Sequence, residues 1–242
     1  MNETVLIYFT LSILTSCLSA VTGMGGGALL LSFLTFNYPI KTLVPIHGLA
    51  QLTSNCSRTF ALRKFVKRNV FFYFSLGVPL GAFISAYYLR GIFSENTLKI
   101  TIATLILYVL LKPKKMPSIK LPEKYFVIIG IITAMLGILI GSVGPFLSAF
   151  FVRDDYTKEE IIATKSSLQL LVHLSKIPSF LLLGFSYLEH FQIIIALCSG
   201  VVIGSIIGIQ ILKKTSNKVF LILFKGSLLF VAIRLLSSSF FT

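Results

Sequence analysis

The sequence predicts an all-α, polytopic transmembrane protein of two homologous repeats, each with a broken or re-entrant helix, and about 8–10 membrane segments. Three observations carry this expectation: an apolar composition, basic clusters confined to the gaps between apolar runs, and a polar stripe that occurs twice. Of the 242 residues, 55% are hydrophobic and 12% charged, with a mean hydropathy of +0.91. That is more apolar surface than a soluble domain of this size can hide.

The runs near 5–21, 69–89, 95–111, 125–140, 190–212 and 217–238 are long enough, at about 1.5 Å per residue, to cross a hydrocarbon core of about 30 Å. A net charge of +14 would suggest nucleic acid in a soluble chain, but no soluble module remains here to bind it. The charge is grouped instead: Arg63, Lys64, Lys67 and Arg68; then Lys112, Lys114, Lys115, Lys120 and Lys124; then Lys213, Lys214 and Lys218. Each group lies between apolar runs, where cytoplasmic loops carry their Lys/Arg excess. Cys17, Cys56 and Cys198 have no metal-ligand spacing and are expected to be small packing residues. Leu14-Thr15-Ser16-Cys17 superficially resembles a lipoprotein cleavage site, but Glu3 and the lack of a preceding Lys or Arg are unlike a signal n-region. The first helix is therefore expected to be retained.

The chain aligns with itself. Gly23, Gly26, Leu29, Phe33, Tyr38, Gln51 and Leu52 match Gly141, Gly144, Leu147, Phe151, Tyr156, Gln169 and Leu170 at one fixed offset. Farther on, Gly77-Val78-Pro79-Leu80-Gly81 matches Gly200-Val201-Val202-Ile203-Gly204. The expected organisation is a first transmembrane repeat over 1–111, a basic cytoplasmic linker over 112–124 and a second repeat over 125–242.

Each repeat opens with an apolar segment broken by glycines. The first break carries Gly23, Gly25, Gly26 and Gly27, and the second Gly141, Gly144 and Pro145. Gly and Pro weaken a helix, and freed backbone groups at membrane depth are tolerated only where they line a cavity or are buried in protein. A half-helix starting at either break would aim backbone N–H groups and a partial positive charge at an anion. If 28–36 and 146–152 return through the membrane, each repeat has five segments, the repeats are inverted, the N-terminus is outside and all basic clusters face the cytoplasm. Single long broken helices would instead give parallel repeats of four segments, with Lys213 and Lys214 on the wrong side.

The polar stripe follows each break. His47, Gln51, Asn55 and Arg58 recur as Lys165, Gln169, His173 and Lys176 with the same spacing, which places each set within about 80° of arc on one helix face. Ionisable groups at membrane depth usually face a cavity or partner and mark a substrate path. The carboxylates Glu3, Glu95, Glu123, Asp154, Asp155, Glu159, Glu160 and Glu189 all fall in loops or at segment ends. A cation site or a hydrolytic site would want one inside. His47, His173 and His190 lack a metal-binding context, so no metal, cofactor or catalytic residue is expected. The interior offers neutral donors and cations, which suit an oxyanion.

At these residues the chain resembles the TauE/SafE sulfite exporter family, part of the toluene-sulfonate uptake permease superfamily. The first motif is Gly23-Met24-Gly25-Gly26-Gly27 with His47 through Arg58; the second is Gly144-Pro145-Phe146 through Arg153, Lys158-Glu159, Ala163-Thr164-Lys165, Gln169, His173 and Lys176-Ile177-Pro178. The second copy departs from the glycine-rich form at Val143 and Pro145. The resemblance implies an inner-membrane permease for sulfur-containing anions such as sulfite, sulfonates or sulfoacetate. The residues expected to bind the anion are Gln51, Asn55, Arg58, Lys165, Gln169, His173 and Lys176, working by alternating access, with the lipid bilayer as surroundings. An anion channel and a non-transport membrane assembly factor are the alternative readings. Substrate identity, direction, coupling ion and oligomeric state are not encoded in any motif of the chain.

Overall fold

The structure is a computed structural model that describes residues 3–88, 95–111, 121–153 and 155–240. The linker's residues 112–120, with four of its five lysines, lie outside these, as does Asp154. Ten α-helices and no strand occur among the described residues: α1 (Glu3–Thr22), α2 (Gly26–Leu34), α3 (Ile40–Ala61), α4 (Arg68–Tyr88), α5 (Glu95–Leu111), α6 (Phe126–Ile140), α7 (Gly144–Ala149), α8 (Lys158–Leu182), α9 (Phe191–Lys214) and α10 (Asn217–Phe240).

The six long apolar runs become α1, α4, α5, α6, α9 and α10. Four segments are long and apolar enough to cross a membrane by composition alone: Glu3–Thr22, Arg68–Tyr87, Leu188–Lys214 and Asn217–Ser237. At 22 and 25 residues α3 and α8 have the length too, but they carry the polar stripes. The runs 28–36 and 146–152 do not cross. They form α2 and α7, of 9 and 6 residues, which at about 1.5 Å per residue cover less than half of a 30 Å core.

Local chemistry sets the breaks. Gly23, Gly25 and Gly141 have φ of 80°, 92° and 82°, a region that costs a residue with a Cβ. Pro145 sits in the first turn of α7, where its missing N–H costs no helical bond. The polar start of α8 is held by a capping box, Thr157 accepting from the Glu160 N–H and Glu160 from the Thr157 N–H.

Both short helices double back. At Gly26 a Cβ would lie 1.7 Å from Thr15 O, so α2 starts against the second half of α1. It ends beside the beginning of α1, where the Tyr8 hydroxyl donates to Asn37 Oδ1 at 2.6 Å and lies 3.1 Å from Phe33 O. Just beyond α7, Phe151 meets Phe126, the first residue of α6, with ring centroids 6.2 Å apart. Each break is therefore the tip of a re-entrant hairpin.

Close backbone approaches define the long pairs. Helix α9 runs parallel to α1, with Gly200 against Phe9 and Ser12, Gly204 against Ile13, and Gly208 against Cys17 and Ala20. Helix α4 runs parallel to α6, with Gly77 against Val127 O and Gly81 against Ile131 O. Small residues permit such contact between membrane helices. On the correspondence of α1 with α6 and of α4 with α9 that the sequence leads one to expect, these are the same pairing with the halves exchanged. Helices α3 and α8 are antiparallel. His47 and His173 lie 6.3 Å apart at one level, and beyond the end of α3 the Lys67 N–H donates to Thr164 Oγ1 while its ammonium pairs with Glu160.

Followed through these contacts, the described residues of the three basic clusters gather at one end. Asn69 Nδ2 donates to Glu123 Oε2 at 2.9 Å, next to Lys124, and the Lys158 ammonium reaches the carbonyls of Lys213 and Thr215. The start of α1, the end of α2 and the turn at Leu188–His190 occupy the opposite end. One expectation fails outright: Cys56 is exposed on α3 rather than packed, because it lies off the stripe that faces α8.

Candidate functional site

The polar stripes and the hairpin tips meet. Between them lies a cavity of ≈ 20 Å³, room for about one water. The breaks contribute Gly23, Gly25, Gly27, Gly144 and Pro145; α3 contributes His47, Gln51 and Arg58; α8 contributes Gln169 and His173. Gln51 and Gln169 thus share one cavity, each at the start of a half-helix. A Cβ at Gly27 would stand 2.8 Å from Gln51 Oε1, and one at Gly144 would stand 3.1 Å from Gln169 Nε2. No hydrogen bond among the described residues occupies either amide.

The imidazoles are under-satisfied as well. His47 Nε2 lies 2.8 Å from Gly27 O; since a carbonyl only accepts, that nitrogen carries a proton. His47 Nδ1 and His173 Nδ1 are buried without a partner. A buried polar group left unpaired costs about 1–3 kcal/mol, so this lining favours an occupant that can hydrogen-bond with it.

Arg58 is aimed by its own helix. Nε donates to Ser54 O at 3.3 Å, and Nη2 to Ser54 Oγ at 3.3 Å and Asn55 Oδ1 at 2.9 Å. Ser54 is in turn fixed by Ser16 at 2.8 Å and Ser205 at 3.3 Å. Arg58 does not snorkel to an interface; it is 3% exposed.

Three residues expected to touch the anion stand behind the lining instead. Asn55 spends its carbonyl on Arg58 and its amide on Gln51 O, 2.8 Å away, which makes it a positioning residue. The Lys165 ammonium donates to Gly23 O and Ser148 Oγ, with the Phe224 ring centroid 4.9 Å away. The Lys176 ammonium donates to Gly141 O at 2.6 Å. The physical reason is the break itself, which leaves carbonyls at the ends of α1 and α6 without helical donors and with partial negative charge. Gly26 and Gly141 also shape the tips without lining the cavity. His47 is the ionisable lining residue that sequence reasoning left out of the ligand set; its match to Lys165 across the offset was the available signal. Replacing Lys176 with Met should strand the Gly141 carbonyl and lower stability by about 1–3 kcal/mol. Thermal unfolding in detergent checks this, and an unchanged melting temperature would count against the anchoring role.

Among the described residues no carboxylate lines the cavity, and none pairs with Arg58, Lys165 or Lys176. Two half-helix N-termini, two free amides and uncompensated cations converge inside a bundle of apolar helices, the architecture of a multi-pass membrane protein whose two re-entrant hairpins meet at one polar cavity. The chain belongs to the TauE/SafE family of membrane transporters: the family described as Sulfite exporter TauE/SafE matches residues 8–235, nearly its whole length. Neither the curated proteins nor the solved structures contain a match to it.

Proposed function

We propose that this chain carries a small oxyanion, of the sulfite and sulfonate class, across the bacterial inner membrane by alternating access about the cavity between the two hairpin tips. The observation that supports this most is the pair Gln51 and Gln169, each amide set at the start of a half-helix, unbonded, in a cavity without a carboxylate. An oxyanion there would accept from both amides, from His173 and from Arg58, while Lys165 and Lys176 add positive charge from behind the breaks. The small volume, about 20 Å³, supports a carrier over an open channel, since a conducting pore would leave a wide continuous path. The close pairs α1 with α9 and α6 with α4 are natural bodies to rock about α3 and α8.

Orientation follows from the single basic end, which would face the cytoplasm, placing the N-terminus outside and the halves inverted. Single cysteines at Asn217 and Leu188 test it. Position 217 should be closed to an impermeant external reagent and position 188 open; the reverse pattern would overturn the arrangement. For the activity itself, purified protein in liposomes is offered sulfite, sulfate, sulfonates and carboxylates. Saturable uptake of at least one oxyanion is expected, and selective flux of a cation would refute the reading.

A further inference from the structure

A second cavity of ≈ 210 Å³ lies beside the first, between α2, α5, α7 and α10, and the two share Gly25, Ala28, Ser142 and Pro145. Its walls are mostly apolar, from residues such as Leu29, Ile102, Phe230 and Val231, and among the described residues Arg234 is the charged one that lines it. Helix α10 begins at the basic end, so Arg234, in its last two turns, stands toward the opposite end. Thr35, just past α2, lines the same space. The vestibule therefore leads from the non-basic end of the molecule to the tips of both hairpins.

An arginine serving only as an interface anchor would extend away from the protein toward lipid headgroups. Arg234, an exposed residue, instead turns its Nη1 to Ala28 O on the broken segment, donating over a long 3.4 Å at the rim of the cavity. The rest of its guanidinium has no partner among the described residues. We propose that Arg234 is an outer anion subsite, which takes an oxyanion at the mouth of the vestibule and hands it to Gln51 and Gln169. This rests on the anion-carrier reading above. A cation beside an apolar wall raises the local concentration of anions by about tenfold or more, and the weak bond to Ala28 O leaves the guanidinium free to exchange partners.

The test uses the full chain with Cys17, Cys56 and Cys198 replaced by alanine and Ser32, on the vestibule wall, replaced by cysteine. The ratio of labelling rates with an anionic and a cationic methanethiosulfonate of similar size is measured in vesicles. Arg234→Gln should lower the anionic preference about tenfold, and Arg234→Lys, which keeps the charge, should retain most of it. A ratio unchanged in both variants would reduce Arg234 to an anchor and overturn the proposal. Methanesulfonate should slow labelling in vesicles with and without phosphatidylglycerol. If only phosphatidylglycerol slows it, the occupant is a lipid headgroup and the solute subsite is wrong. Labelling needs no transport, so absent flux with an intact ratio would sink the carrier reading and leave the subsite standing.

Discussion

Gln169→Leu is expected to weaken binding of the carried anion by at least about tenfold in correctly inserted protein. The substitution keeps much of the volume but removes the donor and acceptor set against Gly144. A hydrogen bond to a charged group is worth about 1.5–3 kcal/mol, which corresponds to roughly ten- to a hundredfold in affinity. Gln51→Leu removes the matching group at Gly27 and should have a similar effect. Because both amides would bind the same ion, the double variant is expected to lose more than either single one without the losses simply adding. Lys176→Gln should do less, since its ammonium already serves Gly141 O and acts on the anion only through charge. Initial uptake rates against concentration check the series, and unchanged uptake in Gln169→Leu would remove the glutamines from the site.

The other large effect is structural. Gly26→Val should destabilise the protein by about 3–5 kcal/mol or block its assembly, in the range reserved for severe overpacking of a core. A Cβ there would lie 1.7 Å from Thr15 O and 2.5 Å from Ser19 Oγ, and a backbone carbonyl inside α1 cannot swing aside. Closure of the first hairpin places Gly27 against Gln51, so the site should be lost with the packing. Gly226→Ala is the control: nothing lies within 4 Å of the added Cβ on α10, and alanine should be neutral or better by up to about 1 kcal/mol. Melting temperatures of the two variants in one detergent should separate widely, and equal values would show that the hairpin does not need its close approach.

Much of this was legible in the sequence because it depends on local rules. Glycines at the two breaks and a period near 100° per residue are enough to place Gln51, Arg58, Gln169 and His173 on inward stripes behind interrupted helices. The same reasoning could not see that Lys165 and Lys176 end at Gly23 O and Gly141 O, since spacing gives a helix face and says nothing of what a neighbouring element presents to it. Nor could it separate Asn55, turned to Arg58, from Gln51, turned to the cavity, four residues away on the same stripe. The length of α7 was also hidden. Its six residues sit in an apolar run that continues through Phe150 and Phe151, and only the packing of Phe151 against Phe126 shows that the chain has already turned back. Arg234 carried no signal at all, having no counterpart in the first half; its place on the vestibule is a product of how α10 meets α2.

The central claim is that one oxyanion sits between the tips of the two hairpins, and the most direct test is to see it there. Selenite, an electron-dense counterpart of sulfite, can be located by the anomalous scattering of selenium in crystals of the protein. The account predicts one site between the starts of α2 and α7, within hydrogen-bond distance of the amides of Gln51 and Gln169, and its disappearance in the Gln51→Leu, Gln169→Leu double variant. Selenium bound elsewhere with this cavity empty, or occupancy untouched by the double substitution, would contradict it.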